Sequence, residues 1–159
     1  MGHMRLLMDA DCLIKLTKAG LKELVAENAT ISIPGTVKRE VVDAGKVKGC
    51  ADAFAVEQNL SFGIIDVIES PLDYTKGDHA LLAFFEKEKY DAVATDDAKL
   101  TRRLRAHGIR FILPGLIVYQ LQKESRITSN TAHWALDQLS GFISEDEFSL
   151  TRLLLEKGK

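Results

Sequence analysis

Five acidic residues are the side chains of this sequence most suited to chemistry. They are Asp9, Glu40, Asp78, Asp96 and Asp97. Carboxylates that cluster repel one another and raise each other's pKa unless a cation lies between them. Hard divalent cations such as Mg²⁺ and Mn²⁺ prefer oxygen ligands of this kind. A metal held in this way activates water and neutralises charge on a leaving oxygen, so the set predicts phosphate-ester chemistry if the five acids meet.

The hydrophobic pattern predicts strands that bring these acids to one place. The strand-like segments are 5–8, 30–33, 64–68, 91–95 and 110–113. Helical spacing occupies most of the sequence between them, so we expect a three-layer α/β/α fold with a mostly parallel central sheet, plus C-terminal helices. Ligands of such sheets bind beyond the carboxyl ends of the strands. Four strand–helix units each supply an acid to that edge.

Several of these polar residues also have a purely structural explanation. Asp78 and the pair Asp96–Asp97 precede helical segments, where a carboxylate can cap the helix. Asp11 is the expected N-cap of a helix over 11–27, in which Gly20 is a candidate break. Each explanation is adequate for one acid alone. The coincidence of all the acids at one edge is what favours a metal site.

Length and composition predict one soluble domain. The chain has 159 residues, of which 46% are apolar and 28% charged, and this suffices for a core without disulfides. We expect a single domain over 4–159, with a core over about 4–115 and a helical extension over about 116–159. Residues 1–3 resemble a cloning remnant. The sequence has no apolar run of the ~20 residues that a membrane helix needs and no secretory start, which predicts a cytoplasmic protein.

Basic residues accompany the acids on the segments that leave the same edge. The net charge is −2, and without the five acids the rest of the chain carries +3. The candidates for binding a polyanionic strand are Lys38, Arg39, Lys76, Lys99, Arg102, Arg103 and Arg105. Solvated helix faces would explain many of these residues equally well.

Over roughly 4–113 the sequence resembles the PIN-domain nucleases, the family that includes the VapC-like toxins of toxin–antitoxin pairs. The matching features are an apolar strand ending at Asp9, Pro34 followed by Glu40, Gly77-Asp78 before an apolar helix, and Val93-Ala94-Thr95-Asp96-Asp97. Each motif alone is weak. Their occurrence together, in the family's order and at compatible spacing, carries the resemblance.

The resemblance implies a ribonuclease that depends on Mg²⁺ or Mn²⁺ and leaves a 3′-hydroxyl and a 5′-phosphate. The four family acids correspond to Asp9, Glu40, Asp78 and Asp97, with Asp96 as a neighbour or an alternative to the last. Thr95 corresponds to a hydroxyl position that orders the site. Asp11 departs from the family, which has Ser, Asn or Thr there, and either joins the metal shell or caps the helix. RNA, an antitoxin protein and a second copy of the chain are the implied partners.

The C-terminal tail departs from the compact toxins and resembles PIN-like relatives with extra helices. It predicts two or three helices, with Thr128 as a candidate N-cap and Ser144 to Glu147 as a capping box. The apolar positions of the last helix are Leu150, Leu153 and Leu154. We expect them to pack on the core, with docking of an antitoxin or a second subunit as the alternative.

Two other functions compete with the nuclease. Asp9-Ala10-Asp11 after an apolar strand fits the nucleophile motif of a haloacid-dehalogenase-type phosphatase, although Glu40 and Asp78 would then have no role. A non-catalytic PIN-like module that binds RNA or protein is the other alternative. Turnover of a small phosphomonoester would favour the first of these, and absence of metal binding at Asp9 would favour the second.

Overall fold

The structure, a computed structural model, describes residues 4–35, 65–68, 81–82, 85 and 89–157. Its elements are β1 (Met4–Met8), α1 (Ala10–Lys18), α2 (Lys22–Asn28), β2 (Ala29–Pro34), β3 (Ile65–Ile68), β4 (Ala92–Ala94), α3 (Ala98–Ala106), β5 (Phe111–Ile112), α4 (Pro114–Lys123), α5 (Ser129–Leu139) and α6 (Glu145–Lys157). The predicted helix that would carry Glu40 lies outside the described residues, as do Asp78 and residues 1–3.

The five described strands form one sheet in the order β3-β2-β1-β4-β5, and every neighbouring pair is parallel. Successive side chains of a strand point to opposite faces of its sheet. Leu6 and Met8 of β1 accordingly pack with α1, α2 and the C-terminal helices, whereas Leu7 packs with Leu100 and Leu104 of α3 on the other face. Helices therefore cover both faces of a parallel sheet, and the predicted three-layer α/β/α fold is confirmed.

The first helical segment is divided as the sequence indicates. Gly20 has a φ of +75°, a left-handed conformation that glycine adopts without strain, and it separates α1 from α2. The predicted cap at Asp11 is wrong, because α1 begins earlier than expected. Asp9 is the N-cap, and its side chain accepts a hydrogen bond from the backbone N–H of Cys12. Asp11 lies in the first turn and is exposed.

The three C-terminal helices pack on the same core as the strands. Ile117, Leu136 and Leu155, one from each helix, belong to the hydrophobic cluster that also contains β1 and β2. The expected core positions of α6 are partly wrong, because Leu150 and Leu153 are 46% and 48% exposed. In α6 the inward-facing positions are instead those of Glu147, Thr151 and Leu155. Among the described residues, no helix is long and apolar enough to span a membrane.

Candidate active site

The reversal of strand order between two neighbouring strands predicts a ligand crevice at one edge of the sheet. β1 and β4 lie side by side, with β2 beyond one and β5 beyond the other, so the strand order reverses between them. In open α/β sheets, ligands bind at the carboxyl ends of the strands that flank such a reversal. Asp9 directly follows β1, and Thr95 to Asp97 directly follow β4. The N–H of Asp9 donates to the Ala94 carbonyl at 3.1 Å, which ties the two strand ends together.

Asp9 is a buried carboxylate at this crevice, with only 6% of its surface exposed. Its Oδ1 accepts from the backbone N–H of Cys12 at 2.8 Å, and its Oδ2 accepts from the hydroxyl of Thr95. Burial raises the pKa of Asp9 to about 7, the two hydrogen bonds oppose the rise, and the negative charges of Asp11 and Asp96 add to it. A divalent cation would offset the cost of this buried charge, so the site fits a hard metal ion.

Thr95 connects the acid after β1 to an acid after β4. It is fully buried, and its hydroxyl donates to Asp9 while it accepts from the backbone N–H of Asp97 at 3.1 Å. One hydroxyl therefore satisfies both partners, because its oxygen accepts while its hydrogen is donated. Thr95 thereby joins the Asp9 carboxylate to the backbone at Asp97.

Asp97 is the N-cap of α3, and its Oδ1 accepts from the N–H of Leu100 at 2.8 Å. A carboxylate oxygen has two acceptor positions, so this bond leaves most of the acceptor capacity of Asp97 in place. The predicted capping role and a metal-binding role are therefore compatible in one side chain. Asp97 is half-buried and lies at the same edge of the sheet as Asp9.

Asp96 has a different partner from that of its neighbour. Its Oδ2 forms an ion pair with the ammonium group of Lys15, which reaches the crevice from α1. Both side chains are largely shielded from solvent. Asp96 and Asp97 are thus distinguished by their contacts, although they are adjacent in sequence.

Glu147 is a buried acid of this region that the sequence analysis assigned to another role. The Ser144 hydroxyl accepts from the N–H of Glu147 at 3.0 Å, as a capping box predicts. The Glu147 carboxylate, however, accepts from the N–H of Gly115 at 2.8 Å, in the first turn of α4. The amides at the start of a helix lack partners within that helix, which explains why the carboxylate binds there.

Burial raises the pKa of Glu147, the Gly115 hydrogen bond opposes this, and the charges of Asp96 and Lys15 act in opposite directions. These interactions place Glu147 in the electrostatic field of the crevice. The sequence feature that relates to this contact is the glycine at position 115. A Cβ there would lie 3.1 Å from Glu147 Oε2, so a larger residue would crowd the carboxylate. A glycine in the first turn of a helix permits this close approach.

The basic residues of α3 divide between the two ends of the helix. Lys99 and Arg102 are exposed in the half that begins at the crevice, and Arg103 is half-buried in the last turn. Arg105 lies in the last turn, where its guanidinium is 5.5 Å from the ring centroid of Phe111 at the start of β5. It lines a groove of about 1210 Å³ at the opposite, amino-terminal edge of the sheet. The structure therefore does not bring Arg105 to the crevice.

The remaining predicted site residues fall outside the described residues. They are Lys38, Arg39, Glu40, Lys76 and Asp78. Within the described ranges, no group of three or more His, Cys, Asp or Glu side chains converges closely enough to hold a metal ion. Asp9 and Asp97 are the described acids whose positions at the crevice agree best with the predicted ligand set.

The comparison with protein families gives one match that covers most of the chain. A family model described as a PIN domain matches residues 5–149. The match begins in β1, includes the other four strands, and ends within α6, two residues beyond Glu147. No curated protein matches the chain.

Proposed function

Because the chain belongs to the PIN-domain family, we propose that it is a ribonuclease that requires Mg²⁺ or Mn²⁺ to hydrolyse RNA phosphodiester bonds. PIN domains are generally nucleases. The observation that carries the proposal is that the buried Thr95 hydroxyl links the Asp9 carboxylate to the backbone N–H of Asp97, at the sheet edge where the strand order reverses.

The proposed ligands are Asp9 and Asp97, joined by Asp78 and Glu40 from the segments that the structure does not describe. The support for a metal is the chemistry of the donor set, since these are hard oxygen donors and Asp9 is a buried acid whose charge needs compensation. When bound, the metal supplies Lewis acidity and an acidified water for phosphodiester hydrolysis.

The residues of the chain position this chemistry. Thr95 donates to Asp9 and thereby fixes which oxygen lone pairs face the crevice. Glu40 or Asp96 is proposed to accept the proton of the attacking water, because a general base must lie within hydrogen-bond reach of it. By resemblance to the family, the products carry a 3′-hydroxyl and a 5′-phosphate.

Basic side chains beside the crevice are proposed to bind the RNA backbone. From α3 we propose Lys99, Arg102 and Arg103, and from the segments outside the described residues Lys38, Arg39 and Lys76. Arg105 is left out of this set because its guanidinium packs against Phe111 and lines the groove at the amino-terminal edge of the sheet. An antitoxin partner, a homodimer and a cytoplasmic location remain proposals drawn from the family resemblance.

The test is cleavage of a labelled single-stranded RNA by the purified chain in Mn²⁺. We expect cleavage that EDTA stops and that Asp9→Asn abolishes, because the amide cannot supply an anionic ligand. Asp137→Asn is the matched control, since it makes the same chemical change at an exposed position of α5. This control variant should cleave as the unaltered chain does.

The two alternatives give different results in the same set of reactions. Hydrolysis of a small phosphomonoester that Asp11→Asn abolishes, with RNA left intact, would support the haloacid-dehalogenase-type phosphatase. RNA binding without cleavage, and without any dependence on Mn²⁺, would support the non-catalytic module. Either result contradicts the proposed ribonuclease.

A further inference from the structure

Lys15 crosses the crevice to a residue that directly precedes a proposed metal ligand. Side chains of an α-helix tilt toward its N-terminus, so Lys15 extends from α1 back toward the carboxyl edge of the sheet. There its ammonium pairs with Asp96 Oδ2. The side chains of Lys15 and Asp96 are 28% and 13% exposed, so solvent screens this pair less than it would a surface pair.

Asp97 makes different contacts from those of Asp96. Its backbone is extended, with φ −70° and ψ 118°, and successive side chains of an extended backbone point to opposite sides. The N–H of Asp97 donates to the Thr95 hydroxyl, which donates in turn to Asp9. The backbone of Asp97 is therefore connected to the Asp9 carboxylate, whereas the side chain of Asp96 is connected to the cation of α1.

We propose that Lys15 is a positioning residue that holds Asp96 outside the metal-ligand set. Of the two acids that follow β4, Asp97 alone is then a metal ligand. This inference rests on the proposed function and deepens it. A divalent cation bound to Asp96 would lie beside the Lys15 ammonium. The two positive charges would repel each other strongly at this short distance in a partly buried site. Mg²⁺ also takes few carboxylates, so withholding one acid suits the ion.

A second acid from the C-terminal helix supports the charge of Lys15. Glu147 is fixed at the same edge by the N–H of Gly115, at 2.8 Å. Burial lowers the pKa of Lys15, but the hydrogen bond and charge of Asp96, with the charges of Asp11 and Glu147, raise it overall. The ammonium therefore stays charged, as the ion pair requires.

The experiment measures Mn²⁺ affinity by calorimetry in the unaltered chain and in single and double variants, and does not use cleavage. We expect Asp97→Asn to weaken Mn²⁺ binding by roughly tenfold or more, since losing even a residue that supports a ligand costs this much. Asp96→Asn should leave the affinity nearly unchanged. In the Lys15→Met variant the released Asp96 can reach the metal, so Mn²⁺ should bind more tightly than in the unaltered chain. Adding Asp96→Asn to Lys15→Met should then weaken Mn²⁺ binding.

Lys15→Arg is the conservative control, because it keeps a cation beside Asp96 and should keep the insensitivity to Asp96→Asn. Equal losses of Mn²⁺ affinity in Asp96→Asn and Asp97→Asn would overturn the inference and leave the proposed function intact. These two single variants decide the question even if Lys15→Met does not fold. Absence of Mn²⁺ binding to the unaltered chain would instead contradict the proposed function and, with it, the inference.

Discussion

The hydroxyl of Thr95 donates a hydrogen bond to the carboxylate of Asp9, across 86 residues of sequence. Both residues are buried, and each directly follows a strand of the same parallel pair. This hydrogen bond joins the residues that follow β1 and β4. The geometry of the crevice therefore depends on a residue that carries no charge.

Thr95→Val is expected to damage the site while preserving the shape of the side chain. It leaves the Asp9 carboxylate and the N–H of Asp97 without their buried partner, which costs about 1–3 kcal/mol in the free energy of unfolding. It also removes a hydrogen bond that lowers the pKa of Asp9. Chemical denaturation and RNA cleavage in Mn²⁺ measure the two effects.

Thr95→Ser is the matched control for that substitution, because it keeps the hydroxyl and removes only a methyl group. It should retain most of the cleavage activity. Equal activity in Thr95→Val and Thr95→Ser would show that the hydroxyl does not order the site.

The stability of the metal-free protein should fall as the pH rises from about 4 to about 7. The pKa of Asp9 in the folded protein is raised to about 7, above its value near 4 in an unfolded chain. The folded state therefore binds the proton more tightly, and that advantage is lost as the pH passes through the folded pKa. Glu147, whose pKa is also raised by burial, contributes in the same direction.

Urea unfolding in EDTA at pH 5 and pH 8 measures this dependence. Asp9→Asn removes the titrating group, so it should be more stable than the unaltered chain at pH 8 and should show a shallower pH dependence. At about 1.4 kcal/mol per pKa unit, the expected difference is a few kcal/mol. Identical pH dependence in the two proteins would mean that Asp9 ionises normally.

Gly115→Ala should destabilise the contact between α4 and α6. A Cβ at this position would lie 2.8 Å from Thr151 Oγ1 and 3.1 Å from Glu147 Oε2, so the neighbouring helix must shift. Overpacking of this kind costs about 1–3 kcal/mol, and the gain of about 1 kcal/mol in helix propensity applies in full only to a helix interior, whereas Gly115 lies in the first turn. The melting temperature should therefore decrease.

The control for the Gly115 variant is Gly141→Ala, where an added Cβ meets nothing within 4 Å. Its melting temperature should stay close to that of the unaltered chain. A similar decrease in both variants would point to a general effect of replacing glycine.

Charge removal at the two ends of α3 should have different effects on RNA. Lys99 lies at the start of the helix beside the crevice, and Arg105 lies about 9 Å farther along its axis, against Phe111. Lys99→Ala should raise the KM for RNA cleavage, and Arg105→Ala should leave KM unchanged while it weakens the packing on Phe111. A larger KM effect at Arg105 would place the RNA on the opposite edge of the sheet.

The sequence predicted the strands and the acids that follow them because both depend on local pattern. Short apolar runs identify buried strands, and the parallel order brings Asp9 and Asp97 to one edge whatever the detailed packing. The predicted α1 cap is wrong because Asp9 and Asp11 are equally good capping residues by type. Only the position at which β1 ends decides between them.

Features that depend on contacts between distant elements were not predictable in this way. The Ser144 to Glu147 pattern satisfies a capping box, but the choice of Gly115 by Glu147 depends on how α6 crosses α4. The exposure of Leu150 and Leu153 has the same origin, because the inward face of α6 is rotated toward Glu147, Thr151 and Leu155. Periodicity gives the faces of a helix but not which face meets the core.

The hydrogen bond from Gly115 to Glu147 has a consequence for the order in which the chain is made. The five described strands, and the helix that carries Lys15, leave the ribosome before α6 does. Until α6 docks, the first turn of α4 has an unpaired amide and Lys15 lacks one of its anionic neighbours. The sheet edge thus acquires its final electrostatic balance only after α6 has been made and has docked.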